Sequence, residues 1–217
     1  MIKACIFDLD GTLADTLESM AYVTNEILKQ YGLKTLPSEN FKYYSGEGAS
    51  VLVKKALRDA GDPNLTLFEE CDKLYRKMFA EDPMYKVTCY EGMPETLKEM
   101  KKRGIKLAVC SNKPHPAAIK VINQLYGGDF DIILGQREDI PRKPAPDGPL
   151  MIACEFGVQP AECMYVGDTG TDMKTGKAAG MFTVGALWGF RDSKELNESG
   201  ADVLADVPLD LLKLCEG

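Results

Sequence analysis

Two carboxylates, Asp8 and Asp10, stand directly behind the apolar run Ala4-Cys5-Ile6-Phe7 and directly before Gly11-Thr12-Leu13. On a strand, side chains two residues apart point to the same side, so both acids project into one small volume. Like charges held that close are costly unless a cation or a shared proton neutralises them. With a cation present, one carboxylate can attack phosphorus while the other moves a proton. Gly11 lets the backbone turn sharply, and the carboxyl end of a strand is where open α/β sheets bind ligands. The duller alternative is a pair of solvated aspartates in a loop.

Three later segments supply complementary groups, each behind a strand-like run. Ser111-Asn112-Lys113 follows Lys106 to Cys110, and Lys143, in Arg142-Lys143-Pro144-Ala145-Pro146, follows Asp131 to Leu134. Gly167-Asp168-Thr169-Gly170-Thr171-Asp172 follows Cys163 to Val166. Mg²⁺ takes near-octahedral oxygen ligands, often one or two carboxylates with waters and phosphate oxygens. Asp8 and Asp168 can supply those carboxylates, and the metal would relieve their repulsion. Metal and Lys143 would offset the charge of a transferring phosphoryl group. Ser111 and the amide behind it can donate to a phosphoryl oxygen. Asp10 is placed to protonate the leaving oxygen and then to activate water. Taken singly, Ser111-Asn112 also reads as a helix cap, Lys143 as a surface lysine, and Gly167-Asp168 as an ordinary turn. Their common strand-end placement is what favours chemistry.

The elements that must position these groups alternate from Glu91 onward. Helix-like segments at Pro94–Arg103, Pro116–Tyr126, Asp147–Phe156 and Thr171–Ala179 alternate with the β-rich runs, and Phe182–Val184 and Asp202–Leu204 continue the series. Such alternation implies βαβ units and a parallel sheet, with continuous apolar runs for strands covered on both faces. A short helix from Pro208 ends the chain. Between Thr16 and about Asp82 the grammar changes to helices at Thr16–Tyr31, Ala49–Ala60 and Leu67–Ala80. The expected fold is therefore α/β, a Rossmann-like parallel-sheet core with an inserted helical domain. The core comprises 1–14 and 83–217, and the insertion 15–82.

Composition removes several function classes. The net charge of −7 over 217 residues argues against a nucleic-acid partner, whose phosphates need a basic face. No apolar stretch approaches the roughly 20 residues that span a bilayer, and Asp8 and Asp10 interrupt any signal-peptide core. His115 is the only histidine, which excludes a histidine-based triad or a multi-histidine metal site; between two prolines it reads as a surface residue at a helix start. The seven cysteines are scattered without a C-x-x-C pair. Most sit within apolar stretches and read as small core residues of a reduced, cytoplasmic protein.

The ordered set Asp8-Leu9-Asp10-Gly11-Thr12-Leu13, Ser111-Asn112-Lys113, Lys143-Pro144 and Gly167-Asp168 with Asp172 resembles the haloacid-dehalogenase-like hydrolases, and most closely their phosphoglycolate phosphatase-like members. The resemblance implies that 15–82 is the family's cap. It makes Asp8 the nucleophile, Asp10 the general acid/base, and Ser111, Asn112 and Lys143 the phosphoryl-binding side of the site. It implies that Asp8, the backbone carbonyl of Asp10 and Asp168 bind Mg²⁺, with Asp172 orienting Lys143 or a metal-bound water. Dehalogenase members typically lack the second aspartate, so Asp10 favours phosphoryl transfer.

The implied activity is Mg²⁺-dependent hydrolysis of a small phosphorylated metabolite through an aspartyl-phosphate, with 2-phosphoglycolate the first candidate. A β-phosphoglucomutase-like phosphomutase, a pyrophosphatase and a non-catalytic protein on the same scaffold are the alternatives. Tyr43-Tyr44-Ser45-Gly46-Glu47-Gly48 reads either as a specificity loop or as a plain connector, and Trp188 either as part of a family-like stretch or as a packed aromatic.

Overall fold

The apolar run at the start of the chain becomes β1 (Ala4–Phe7), whose four side chains are all shut off from solvent. The computed structural model describes residues 1–215. The remaining strands are β2 (Ala14–Asp15), β3 (Thr88–Cys89), β4 (Lys106–Pro114), β5 (Ile132–Gln136), β6 (Cys163–Gly167), β7 (Phe182–Ala186) and β8 (Val203–Ala205). The helices are α1 (Leu17–Gln30), α2 (Phe41–Tyr44), α3 (Ala49–Ala60), α4 (Phe68–Glu81), α5 (Met93–Lys102), α6 (His115–Tyr126), α7 (Asp147–Phe156), α8 (Gly170–Ala178), α9 (Ser193–Glu198) and α10 (Leu211–Leu214).

Among the described residues the main sheet has the order β5-β4-β1-β6-β7-β8 and is parallel throughout. The period-2 alternation of strands sorts its side chains into two layers. Cys5, Phe7, Leu107, Val109, Met164 and Val166 pack on one face with residues of α5, α6 and α10. Ala4, Ile6, Ala108, Cys110, Cys163 and Tyr165 pack on the other with Ile152 and Phe156 of α7. Burying a large apolar side chain contributes roughly 1.5–3 kcal/mol, so these two layers hold the sheet against its helices. The chain builds outward from β1 through β4 to β5, then crosses to β6 and builds the other way. That reversal opens a crevice beyond the carboxyl ends of β1, β4 and β6.

Helices α1–α4 lie between β2 and β3, which pair antiparallel at Ala14↔Cys89 and Asp15↔Thr88 where the chain leaves and rejoins the core. Met20, Val23 and Ile27 recur on α1 at helical spacing and are buried. They join Phe41, Leu52, Leu57, Tyr75 and Phe79 in a separate apolar cluster, to which Ala117 and Phe190 are added from the sheet side. The architecture is a Rossmann-like α/β core with an inserted helical cap. No helix among the described residues is long and apolar enough to cross a membrane.

Besides the short β2–β3 pair, which no apolar run announces, the structure departs from sequence expectation in three places. Strand β4 continues past Cys110 through Pro114, so Ser111-Asn112-Lys113 lies within it, because pairing with β5 resumes at Pro114↔Gln136 after a register shift. Helices α2 and α9, four and six residues long, are too short to show a helical period. His115 does begin α6, but it is half-buried, and its Nδ1 accepts the Gly135 N–H at 3.1 Å.

Candidate active site

Parallel strands bring their carboxyl ends to one edge, and the polar segments gather there. Asp8 follows β1, Ser111 and Asn112 lie in the last part of β4, Lys143 precedes α7, and Asp168 follows β6. Asp172 sits in the first turn of α8. Carboxylate oxygens of Asp8, Asp168 and Asp172 come within 4.8 Å of one another, and all three residues are buried.

Each carboxylate is held by different neighbours. Asp168 accepts from Thr12 Oγ1 (2.9 Å) and from the Phe190 backbone N–H (2.8 Å), one bond on each oxygen. Asp172 Oδ2 accepts from the Thr169 N–H (3.1 Å) and hydroxyl (2.6 Å), closing the capping box that starts α8. Its other oxygen accepts from Lys143 Nζ at 2.7 Å. Lys143 Nζ also lies 2.8 Å from Asp8 Oδ1. That contact is an ion pair whose angles fall outside hydrogen-bonding geometry, so Asp8 Oδ1 is buried without a donor among the described residues.

The charges do not balance. Three buried carboxylates face the single ammonium of Lys143. Burial, and then Asp172, push the Asp8 carboxyl up to about 6 against the pull of Lys143. Burial, with Asp172 and Asp8 behind it, raises Asp168 well above the usual carboxylate range, although Phe190 and Thr12 work the other way. Burial opposes the Lys143 charge, yet Asp172 and Asp8 together leave its proton held far more tightly than usual. Unshared negative charge, an all-oxygen donor set and an orphaned Asp8 oxygen are the conditions a hard divalent cation satisfies. The residues fit such an ion.

Glycines let the pieces approach. Gly11 has φ +84°, and a Cβ there would stand 2.2 Å from Asp168 Oδ2. A Cβ on Gly189 would stand 2.3 Å from Asp168 Cβ. Both positions must lack a side chain for Asp168 to reach the cluster.

The Asp10 carboxylate is not one of the three clustered acids and accepts from Lys113 Nζ at 2.8 Å. It lines, with Asp8 and Ser111, a cavity between the sheet edge and the cap. Ser111 Oγ accepts the Lys113 N–H at 3.3 Å, which leaves its own proton for the cavity. Asn112 acts as a strut: its Oδ1 accepts the Lys143 N–H (2.9 Å), and its Nδ2 donates to the carbonyls of Lys143 (3.1 Å) and Gly46 (3.0 Å). The segment from Tyr43 to Gly48 is thus fastened to the sheet edge. Arg191 adds bonds to the carbonyls of Lys42 and Ser45, the latter at 3.1 Å, and stacks on Tyr43. Trp188 Nε1 donates to the Thr12 carbonyl at 2.9 Å, so this aromatic braces the loop behind Asp10 as well as packing.

The structure therefore brings Asp8, Lys143, Asp168 and Asp172 into one cluster, with Ser111 and Asn112 at its rim and the Asp10 side chain beside it. Sequence reasoning gave no part to Thr12, Phe190, Thr169 or Lys113. Thr12, Lys113 and Thr169 lie inside the strand-end motifs, where their donor groups are visible in the sequence. The Phe190 contact runs through a backbone N–H, which no residue identity encodes.

Comparison with known proteins agrees with this geometry. The family model described as haloacid dehalogenase-like hydrolase matches residues 5–186. A phosphoglycolate phosphatase of Aquifex aeolicus is 35% identical over 216 residues, covering 99% of this chain and 97% of that one. The phosphoglycolate phosphatase of Pectobacterium atrosepticum is 30% identical, covering 98% and 92%. Among solved structures, that of a predicted phosphoglycolate phosphatase from Haemophilus somnus superimposes with a TM-score of 0.90 at 27% identity, covering 98% of this chain and 97% of that one. On these grounds, and with its acids, lysine and cap in place, the chain belongs to the haloacid dehalogenase-like hydrolases and is similar within them to phosphoglycolate phosphatases.

Proposed function

We propose that the chain is a Mg²⁺-dependent phosphatase of small phosphomonoesters, with 2-phosphoglycolate its first candidate substrate, working through an aspartyl-phosphate. The observation that carries this reading is the cluster of Asp8, Asp168 and Asp172 around Lys143, with Asp10 alongside. The similarity to phosphoglycolate phosphatases over nearly the whole chain supports the substrate class. The core is assigned to 1–14 and 83–217 and the cap to 15–82. Buried thiols at Cys71, Cys110 and Cys163 support a reducing, cytoplasmic setting.

Asp8, the backbone carbonyl of Asp10 and Asp168 hold the metal in this reading, and the bound ion supplies positive charge against the phosphoryl oxygens. Asp8 attacks phosphorus; the new O–P bond forms as the bond to the leaving oxygen breaks, and Asp10 gives that oxygen its proton. Asp10 then takes a proton from water, whose oxygen displaces the Asp8 carboxylate from phosphorus and releases phosphate. Lys143 and Ser111 take the charge of the transferring group. Asp172 fixes Lys143, and Asn112 fixes the backbone that carries it. The cap shields the cavity from bulk water while leaving room for the one that hydrolyses the aspartyl-phosphate.

Hydrolysis of p-nitrophenyl phosphate with and without Mg²⁺ tests the reaction, and a panel of phosphometabolites ranked by kcat/KM tests the substrate. Turnover that needs the metal and favours 2-phosphoglycolate is expected. Absence of turnover, or turnover indifferent to a chelator, overturns the reaction. An isomerised sugar phosphate in place of free phosphate turns the reading to a mutase.

A further inference from the structure

The reaction above gives no task to Lys113, yet this residue occupies a costly position. Its side chain is 2% exposed, and its Nζ donates to Asp10 Oδ1 at 2.8 Å. The same ammonium sits 4.4 Å from the ring centre of Phe79, on helix α4 of the cap. An ammonium carries three N–H donors, and the Asp10 bond is the one hydrogen bond it makes among the described residues. A buried cation with unfilled donors is expensive, and the face of Phe79 offsets only part of that cost.

Lys113 is also the one basic residue lining the cavity between sheet edge and cap among the described residues. Lys143 is engaged with Asp8 and Asp172. The cap's larger contributions to the wall, Met20, Leu52, Tyr75 and Phe79, are apolar or aromatic. The unfilled donors therefore meet a small cavity in which, among the described residues, Lys113 is the only cationic side chain, and any metal would sit with the acids.

We infer that Lys113 binds a carboxylate carried by the substrate's leaving group, with Phe79 of the cap holding the ammonium in place. The inference rests on the proposed phosphatase reading and narrows its substrate class. Asp10 delivers a proton to the leaving oxygen and is itself bonded to Lys113. The carboxylate must then lie close to that oxygen, joined to it by a linker of one or two carbons. Binding such a group gives the ammonium a second acceptor without releasing Asp10. Phosphomonoesters with a neutral or bulky alcohol part gain nothing from Lys113.

The test is steady-state kinetics of the full chain with Mg²⁺ on 2-phosphoglycolate and on 2-hydroxyethyl phosphate, where a neutral hydroxymethyl replaces the carboxylate. The wild-type protein is expected to favour the acid in kcat/KM by at least about tenfold. In Lys113→Met, rates on both substrates fall because Asp10 loses its partner, but the ratio of acid to neutral falls a further 10- to 100-fold or so, mostly through KM for the acid. Lys113→Arg should restore part of that ratio. Equal losses on the two substrates would mean that Lys113 only positions Asp10, and the inference is then wrong. If the methionine variant does not fold, the wild-type ratio decides alone, and a value near one overturns the inference. Turnover of both esters at similar rates refutes carboxylate recognition but leaves the phosphatase intact, whereas turnover of neither removes both.

Discussion

A single buried ammonium among three carboxylates makes Lys143 the residue on which the site's charge depends. Replacing it by Met removes the partner of Asp8 and Asp172 while keeping the bulk. Breaking a buried pair from one side costs about 3–5 kcal/mol, so urea denaturation of Lys143→Met should show a stability loss of that order, together with loss of turnover. A variant as stable as wild type would mean the acids are protonated or solvated in the native protein. Asp8→Asn should abolish turnover, since an amide cannot form the acyl phosphate; appreciable residual rate would assign the nucleophile elsewhere. Asp10→Asn should slow the reaction by roughly 10²–10⁴, in line with other losses of acid/base groups. A near-normal kcat in that variant would remove Asp10 from proton transfer. These acids and Lys143 were legible from their positions behind strand-like runs. The pairing of Asp10 with Lys113 was not, because the residues lie 103 positions apart and meet only through the β1–β4 register.

Elements decide how closely those residues can approach. The turn after β1 needs Gly11 at φ +84°, where an added Cβ would collide with the Asp168 carboxylate at 2.2 Å and with the Phe190 ring at 2.8 Å. A non-glycine residue in the left-handed region adds about 1–3 kcal/mol of strain. Gly11→Ala should therefore lower Tm and abolish metal-dependent turnover together, because the turn and Asp168 cannot both keep their places. Wild-type Tm with wild-type activity would show that the loop gives way cheaply. Helices α1, α3 and α4 were readable from their apolar period, and β1 and β4–β8 from their apolar runs, whereas the two-residue strands β2 and β3 carry no such signal. The continuation of β4 through Ser111-Asn112-Lys113 was hidden, because three polar residues carry no strand pattern until β5 pairs beyond them at Pro114↔Gln136.

At the scale of the whole molecule, sheet, cap and acidic cluster form one mechanical unit. Trp188, the only tryptophan, donates to the Thr12 carbonyl, and Thr12 in turn donates to Asp168. Metal bound at the acids should therefore change Trp188 fluorescence. It should also raise Tm, since a ligand at about 100 times its Kd stabilises by about 2.7 kcal/mol. Titration of chelator-treated protein with Mg²⁺, read by both signals, checks this, and Asp168→Asn should lose both responses. A wild-type protein whose fluorescence and Tm ignore Mg²⁺ would refute metal binding at this cluster. The cap's hold on the core, through Asn112 to Gly46 and Arg191 to Lys42 and Ser45, spans separations far longer than any motif.

The sequence alone determined the alternation of strands and helices, the helical insertion after the first strand, and the placement of Asp8, Asp168 and Lys143 behind strands. Periodicity and burial patterning are local properties, carried by a dozen residues at a time. Tertiary structure decided which carboxylates converge: Asp172 joins Asp8 and Asp168, while the Asp10 side chain turns to Lys113. It also decided that backbone groups of Phe190 and Gly46 hold the site together. Those outcomes follow from sheet order and register, which bring β1, β4 and β6 side by side and which no short stretch of residues encodes.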